Sequence, residues 1–156
     1  MRSVAELRVA HAHELPDIAS TWLAMFEEAG KHRESEFAPG WRERFIAHFS
    51  ERIERGDARY FVAVEDGHII GTAGAFFTEA YPAAIHGLRS GYIFGVYVHP
   101  NHRGQGLARA LTNLAIDFLR AGNPWAIRLH ASNAGRPIYE QLGFVPTNEM
   151  ELPRSI

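Results

Sequence analysis

Residues 92–109 read YIFGVYVHPNHRGQGLAR, and the parsing of this stretch decides the fold. Residues 92–98 are aromatic, β-branched or glycine and carry no charge, which describes a buried strand. Pro100 and Asn101 stop it. From Leu107 the period is helical: Leu107, Ala108, Leu111, Leu114, Ala115, Phe118 and Leu119 share one stripe, and Gly122 closes it. Arg103-Gly104-Gln105-Gly106 is then a strand-to-helix turn. Such a turn leaves backbone N–H groups unpaired at a helix N-terminus and aims them at one locus. The helix dipole makes that locus favourable for an anion, and a pyrophosphate fits it. Gly104 and Gly106 have no Cβ, so a phosphate can come close to the main chain.

Three known signatures compete for such a turn. The P-loop requires GxxxxGK[ST], which is nowhere in the chain. The dinucleotide fingerprint requires GxGxxG, but the position for the third glycine holds Arg109. The remaining pattern is Arg/Gln-x-x-Gly-x-Gly/Ala, matched by Arg103, Gly106 and Ala108. Following a strand that ends Val-Tyr-Val-His-Pro, it resembles motif A of the GCN5-related N-acetyltransferase (GNAT) family. A second stretch resembles motif B of the same family: Asn133, then Tyr139 in a short helical segment, then Gly143-Phe144. One departure stands out. Asn133 and Tyr139 are six residues apart, where many relatives have seven. The resemblance covers roughly residues 58 to 150, and residues 1–57 match only in a two-helix layout.

Composition sets outer limits. The chain has 156 residues, 46% hydrophobic and 22% charged, with a net charge of −2. That is enough for one domain with a real core, and 1–156 reads as one. The balanced charge gives no electrostatic case for nucleic acid or an acidic membrane. No apolar run is long enough to span a bilayer, and no apolar leader segment is visible, so the default expectation is a cytoplasmic protein. The absence of cysteine excludes disulfides, a thiol nucleophile and cysteine–zinc sites.

Along the chain, residues 6–10 suggest a first strand with Leu7 and Val9 on one face. Leu15, Ile18, Ala19, Trp22, Phe26 and Ala29 mark a helix with Pro16 in its first turn and Gly30 at its end. Trp41, Phe45, Phe49 and Ile53 mark a second helix, closed by Gly56. Residues 59–65 and 68–78 read as strands joined by the hairpin signal Asp66-Gly67. Residues 81–90 read as a loop. Gly95, inside the 92–98 strand, signals a bulge or a splay. Residues 125–131 alternate like a strand, Ser132-Asn133 offers a cap for a helix over 136–142, and residues 144–152 are expected to add a last strand. The order β-α-α-β-β-β-α-β-α-β predicts an α/β (α+β) fold: a mixed central sheet with helices on both faces. The resemblance implies the same acyl-CoA N-acyltransferase architecture.

The resemblance also implies a chemistry. Acetyl-CoA would be the co-substrate, with its pyrophosphate on the amides of Gly104, Gln105, Gly106, Leu107, Ala108 and Arg109, and charge from Arg103 or Arg109. Its amide-bearing arm would pair with the strand edge at Val96, Tyr97 and Val98, with Asn133 as a further contact. Tyr139 would be the general acid for the departing thiolate. The acceptor would be a primary amine of a small molecule or a peptide, attacking directly in a ternary complex. An alkyl amine has a pKa near ~10.4, so a base must take its proton. Glu28 is the candidate for base or acceptor contact; Glu27, Glu65, Glu79 and His130 also compete. A metal is not expected: His11/His13 and His99/His102 lack an HExxH frame and cysteine partners. A homodimer is compatible with the family. The rival readings are a non-catalytic acyl-CoA sensor with the same turn, and acylation of a nucleic-acid-linked amine, which would call for a basic patch.

Overall fold

The computed structural model describes residues 4–79, 85, 87 and 89–154. Most of the 81–90 connection lies outside the described residues. The elements are β1 (Glu6–Val9), α1 (Leu15–Glu28), α2 (Trp41–Glu54), β2 (Ala58–Glu65), β3 (His68–Glu79), β4 (Arg89–Val98), α3 (Leu107–Ala121), β5 (Ile127–Leu129) and α4 (Arg136–Gln141). The strands form one sheet in the order β1-β2-β3-β4-β5. The first four pair antiparallel, and β5 joins β4 in parallel. The mixed sheet follows from the connections. Asp66 and Gly67 both take positive φ, as a two-residue hairpin turn needs, so β2 and β3 are adjacent and antiparallel. β4 and β5 are bridged by α3, a crossover that parallel strands require.

The period-2 alternation of β2 decides which helix covers which face. Phe61 and Ala63 point to one side and join Ala73, Ala75, Phe77 and Ile93 under the α3 stripe of Leu107, Leu111, Ala115, Ile116 and Leu119. Tyr60 and Val62 point to the other, where Leu15, Ile18 and Ala19 of α1 and Phe45 of α2 cover them. Helices therefore lie on both faces.

At Gly95 the alternation breaks. Gly74 pairs with Phe94 and Thr72 with Tyr97, so two residues of β4 oppose one of β3. Gly95 takes φ +60 there. The extra residue lets Ile93 and Val98, five apart, both face α3. β5 pairs with β4 only at Gly91, Tyr92 and Ile93. From Phe94 to Val98 the β5 side of β4 has no strand partner among the described residues, so the sheet splays open beside the bulge.

Three sequence expectations are corrected. No strand forms over 144–152; that segment runs without regular structure, with Val145, Met150 and Leu152 exposed. The 125–131 strand shrinks to three residues because β4 diverges after Ile93. Asn133 does not cap α4: the N-cap position is Gly135, whose N–H donates to Ser132 Oγ at 3.1 Å. β4, conversely, starts at Arg89, because β3 continues to Glu79 and supplies partners for the added residues.

Candidate active site

The turn after β4 is held at several points. The His99 N–H donates to the Ile70 carbonyl at 2.8 Å, extending the ladder past the strand. His102 Nε2 meets Glu65 Oε2 at 2.7 Å. Gly104 and Gly106 then take φ +78 and +81, and a Cβ built on either would meet nothing within 4 Å. These glycines are needed for backbone conformation, and the space above them is open. The first bond of α3 runs from the Ala110 N–H to the Gly106 carbonyl at 3.0 Å. The N–H groups of residues 104–109 have no acceptor among the described residues. Residues 103–106 are exposed. Six successive free amides at the N-terminus of a 15-residue helix make a donor surface suited to a diphosphate.

The cationic side chains expected beside this surface are both engaged. Arg103 folds back along β4: its Nε donates to the Val98 carbonyl at 2.8 Å and its NH2 to Glu28 Oε2 at 2.6 Å. Arg109 donates to Gln141 Oε1 at 3.0 Å, linking α3 to α4.

Glu28 also accepts from the Tyr97 hydroxyl at 2.9 Å, so β4, α1 and the turn meet at one carboxylate. The Arg103 guanidinium holds the Glu28 carboxyl below its ordinary range, with Tyr97 adding to the effect against partial desolvation. Burial, then the Glu28 charge, push the Tyr97 hydroxyl up. The other expected bases separate. Glu65 is tied to His102. Glu79 pairs with Arg89 in the ladder, six residues before Gly95, about 20 Å away at ~3.3 Å per residue. Glu27 is exposed. His130 packs against Tyr92 at 5.6 Å between ring centroids, on the cleft described next.

Tyr139 lies on α4, on the cleft that Tyr92 and β5 also line. It is buried, and burial raises its hydroxyl pKa. The end of α4 fixes it: Gly143 N–H bonds to the Glu140 carbonyl and Phe144 N–H to the Tyr139 carbonyl, both at 3.0 Å. The same link sets the Phe144 ring 6.0 Å from the Tyr139 ring. Tyr139 lines a cleft of about 770 Å³ with Tyr92, Leu129, His130 and the 145–152 tail. Asn133 is exposed on the loop leading to α4.

A second cavity, of about 610 Å³, opens between α1, α2 and their connection. Trp22, Phe26, Phe37, Trp41 and Phe45 form its walls. It reaches the bulge through Trp22, whose Cδ1 would stand 3.7 Å from a Cβ at Gly95. The sequence pointed to Trp22, Phe26 and Trp41 in this region. It missed Phe37, which sits in a polar connection with no periodicity to mark it.

Among the described residues no group of three His, Asp or Glu side chains is placed to hold a metal ion. No helix of the described residues is long and apolar enough to cross a membrane.

Comparisons with known proteins bear on family and fold. Residues 22–144 match the Acetyltransferase (GNAT) family. The fold is similar to the crystal structure of a GCN5-related N-acetyltransferase from Ralstonia eutropha JMP134, at 30% identity and TM-score 0.82, covering 96% of this chain and 98% of that one. It is also similar to a protein from Clostridium acetobutylicum, described as a predicted acetyltransferase and crystallised with acetyl-CoA, at 25% identity and TM-score 0.82, covering 96% of each chain. An acetyltransferase from Trypanosoma brucei aligns at 25% identity and TM-score 0.69 over 97% of this chain and 99% of that one. No curated protein matches.

Proposed function

The chain belongs to the GNAT family of acetyltransferases, and on that premise we propose that it moves the acetyl group of acetyl-CoA directly to a primary amine of a small molecule or peptide. We take the whole of residues 1–156 as one such domain. The observation that carries the reading is the run of unpaired amides at 104–109, which follows the splayed end of β4.

In this reading the amides of Gly104, Gln105, Gly106, Leu107, Ala108 and Arg109 hold the pyrophosphate. The unpaired side of β4 at Val96, Tyr97 and Val98 takes the amide-bearing arm as a pseudo-strand, and Asn133 contacts the donor from the opposite lip. A backbone N–H beside the bulge polarises the thioester carbonyl. The amine nitrogen forms a bond to the carbonyl carbon and the carbon–sulfur bond breaks. The proton lost by nitrogen goes to a base, and Tyr139 gives its proton to the departing sulfur. Its raised pKa keeps that proton in place at neutral pH.

Glu28 is our choice for base or acceptor contact. It lies on the α1 side of β4, two residues past the bulge through Tyr97, and stays ionised beside Arg103. A depressed pKa makes it a weak base but a lasting negative charge, suited to drawing an ammonium toward the thioester. A homodimer remains part of the proposal without an assigned interface. A cytoplasmic location likewise remains our reading from the sequence.

The test is release of free thiol from acetyl-CoA against a panel of primary amines, with the acetylated product identified by mass. Amine-dependent release is expected. Binding of coenzyme A with no amine turned over would overturn the enzymatic reading in favour of a sensing domain.

A further inference from the structure

The cavity between α1 and α2 has walls unlike an ordinary protein surface. Trp22 stands 4.7 Å from Phe26 and 5.6 Å from Phe45 between ring centroids, and Phe37 stands 5.1 Å from Trp41. Trp22 and Phe37, 6.1 Å apart, close the set. Phe45 is buried, whereas Trp22, Phe26, Phe37 and Trp41 are only half-buried, so each keeps ring surface in contact with solvent. Four half-exposed aromatic rings gathered around about 610 Å³ leave apolar surface that a ligand of small-molecule size can cover.

Charge offers little recognition here. The rim carries His32, Glu36, Arg44 and His48. Glu36 is the sole acid among the lining residues, and it already accepts from the Arg33 N–H and meets His32 Nδ1, both at 3.3 Å. Arg44 has no ion-pair partner among the described residues. A polyamine would find one occupied carboxylate and one repelling guanidinium. An amino sugar would need a dense set of hydrogen-bond partners, and the walls are mostly ring carbon. A flat aromatic body matches them, by stacking and edge-on contact.

The cavity also has a direction. Trp22 is both a wall and, with Tyr60, a side chain standing over the β4 bulge, its Cδ1 3.7 Å from where a Cβ at Gly95 would be. A ligand whose ring sits among Phe26, Phe37 and Trp41 can send a short chain past Trp22 to the place where the sheet opens.

We propose that the acceptor is a primary amine carried on an aromatic body by a short flexible chain, with the ring held in the Trp22–Phe26–Phe37–Trp41 box and the amine directed to the Gly95 bulge. This rests on the acetyltransferase reading given above. It adds to that reading the chemical class of the acceptor and assigns Phe37 and Trp41 to specificity.

The test compares 2-phenylethylamine and tryptamine with ethanolamine, spermidine and glucosamine as acceptors for the full-length chain, by thiol release from acetyl-CoA. Burying one ring should favour the arylalkyl amines in kcat/KM by about 100-fold. Phe37→Ala, in a connection outside both core clusters, should raise KM for 2-phenylethylamine by roughly tenfold and leave the Kd for coenzyme A unchanged. The unchanged Kd also reports that the variant is folded. Calorimetry of 2-phenylethylamine alone gives a readout independent of turnover: wild type should bind it more tightly than Phe37→Ala. If spermidine, ethanolamine or glucosamine is acetylated as well as or better than the aryl amines, or if Phe37→Ala leaves their KM unaltered, the box is not the acceptor site, and the acetyltransferase reading stands without it. If coenzyme A does not bind, or binds and no amine releases thiol, the broader reading fails and this proposal with it.

Discussion

Replacing Gly106 by glutamate separates what the turn needs to fold from what it needs to bind. Gly106 has φ +81, so any side chain there costs about 1–2 kcal/mol of backbone strain. It adds no steric clash, because a Cβ at Gly106 would meet nothing within 4 Å. The protein should therefore fold, with a lower melting temperature. Binding is a different matter. For a charge separation of ~5 Å and an effective dielectric of about 20, a carboxylate there would repel a bound diphosphate by about 3 kcal/mol per pair of charges. That corresponds to a loss of at least ~100-fold in affinity. Gly56→Glu is the matched control. Gly56 has φ +76 and equally open surroundings, but it precedes β2 at the far end of the sheet. Calorimetric titration with coenzyme A, alongside thermal unfolding, reads both effects. The two variants should lose similar stability, and only Gly106→Glu should lose affinity. Wild-type affinity in a folded Gly106→Glu protein would refute the phosphate site.

Tyr139→Phe should lower kcat by about tenfold or more with no change in coenzyme A affinity. The Tyr139 pKa is raised, so loss of its proton should not limit kcat until the pH exceeds 10; equal turnover of variant and wild type across pH would remove the hydroxyl from the mechanism. Glu14 accepts from Arg8 at 2.7 and 3.0 Å and from the His11 N–H at 2.7 Å, and Arg8 chiefly lowers its pKa from 4.5 to about 2. At ~1.36 kcal/mol per unit the full value is about 3 kcal/mol, and about 2 after allowing for an ion pair near the surface. A depressed carboxylate pKa stabilises fully above pH 4.5 and ceases to do so as the pH falls through 2. Urea unfolding should thus find Glu14→Gln about 2 kcal/mol less stable than wild type at pH 7, with the gap narrowing toward pH 2; a pH-independent gap would refute this. Gly74→Ala should cost about 2–3 kcal/mol by overpacking. The new methyl would stand 2.6 Å from Phe94 Cζ and 2.8 Å from Tyr60 Cε1, and an unchanged melting temperature would contradict that crowding.

The parts legible in the sequence share a cause: each is fixed by a local rule. Asp66-Gly67 can turn in two residues, the Leu107–Leu119 stripe has one helical face to bury, and Gly95 sits in a strand where a side chain would be expected. The failures need knowledge of partners distant in sequence. The apolar residues of 144–152 suggested a strand, but β5 has three residues and offers too short an edge to template another, while Pro146 removes an N–H. The meeting of the Arg103 guanidinium with Glu28, 75 residues earlier, is a pairing that no spacing reveals. The aromatic box draws on two helices and on Phe37 in the polar segment between them, so only assembly brings its rings together.

A crystal structure of the chain with coenzyme A bound tests the central claim most directly. The prediction is that phosphate oxygens lie about 3 Å from several of the 104–109 amides, with the sulfur beside the Tyr139 hydroxyl. A diphosphate bound away from those amides, or a sulfur out of reach of Tyr139, would contradict it.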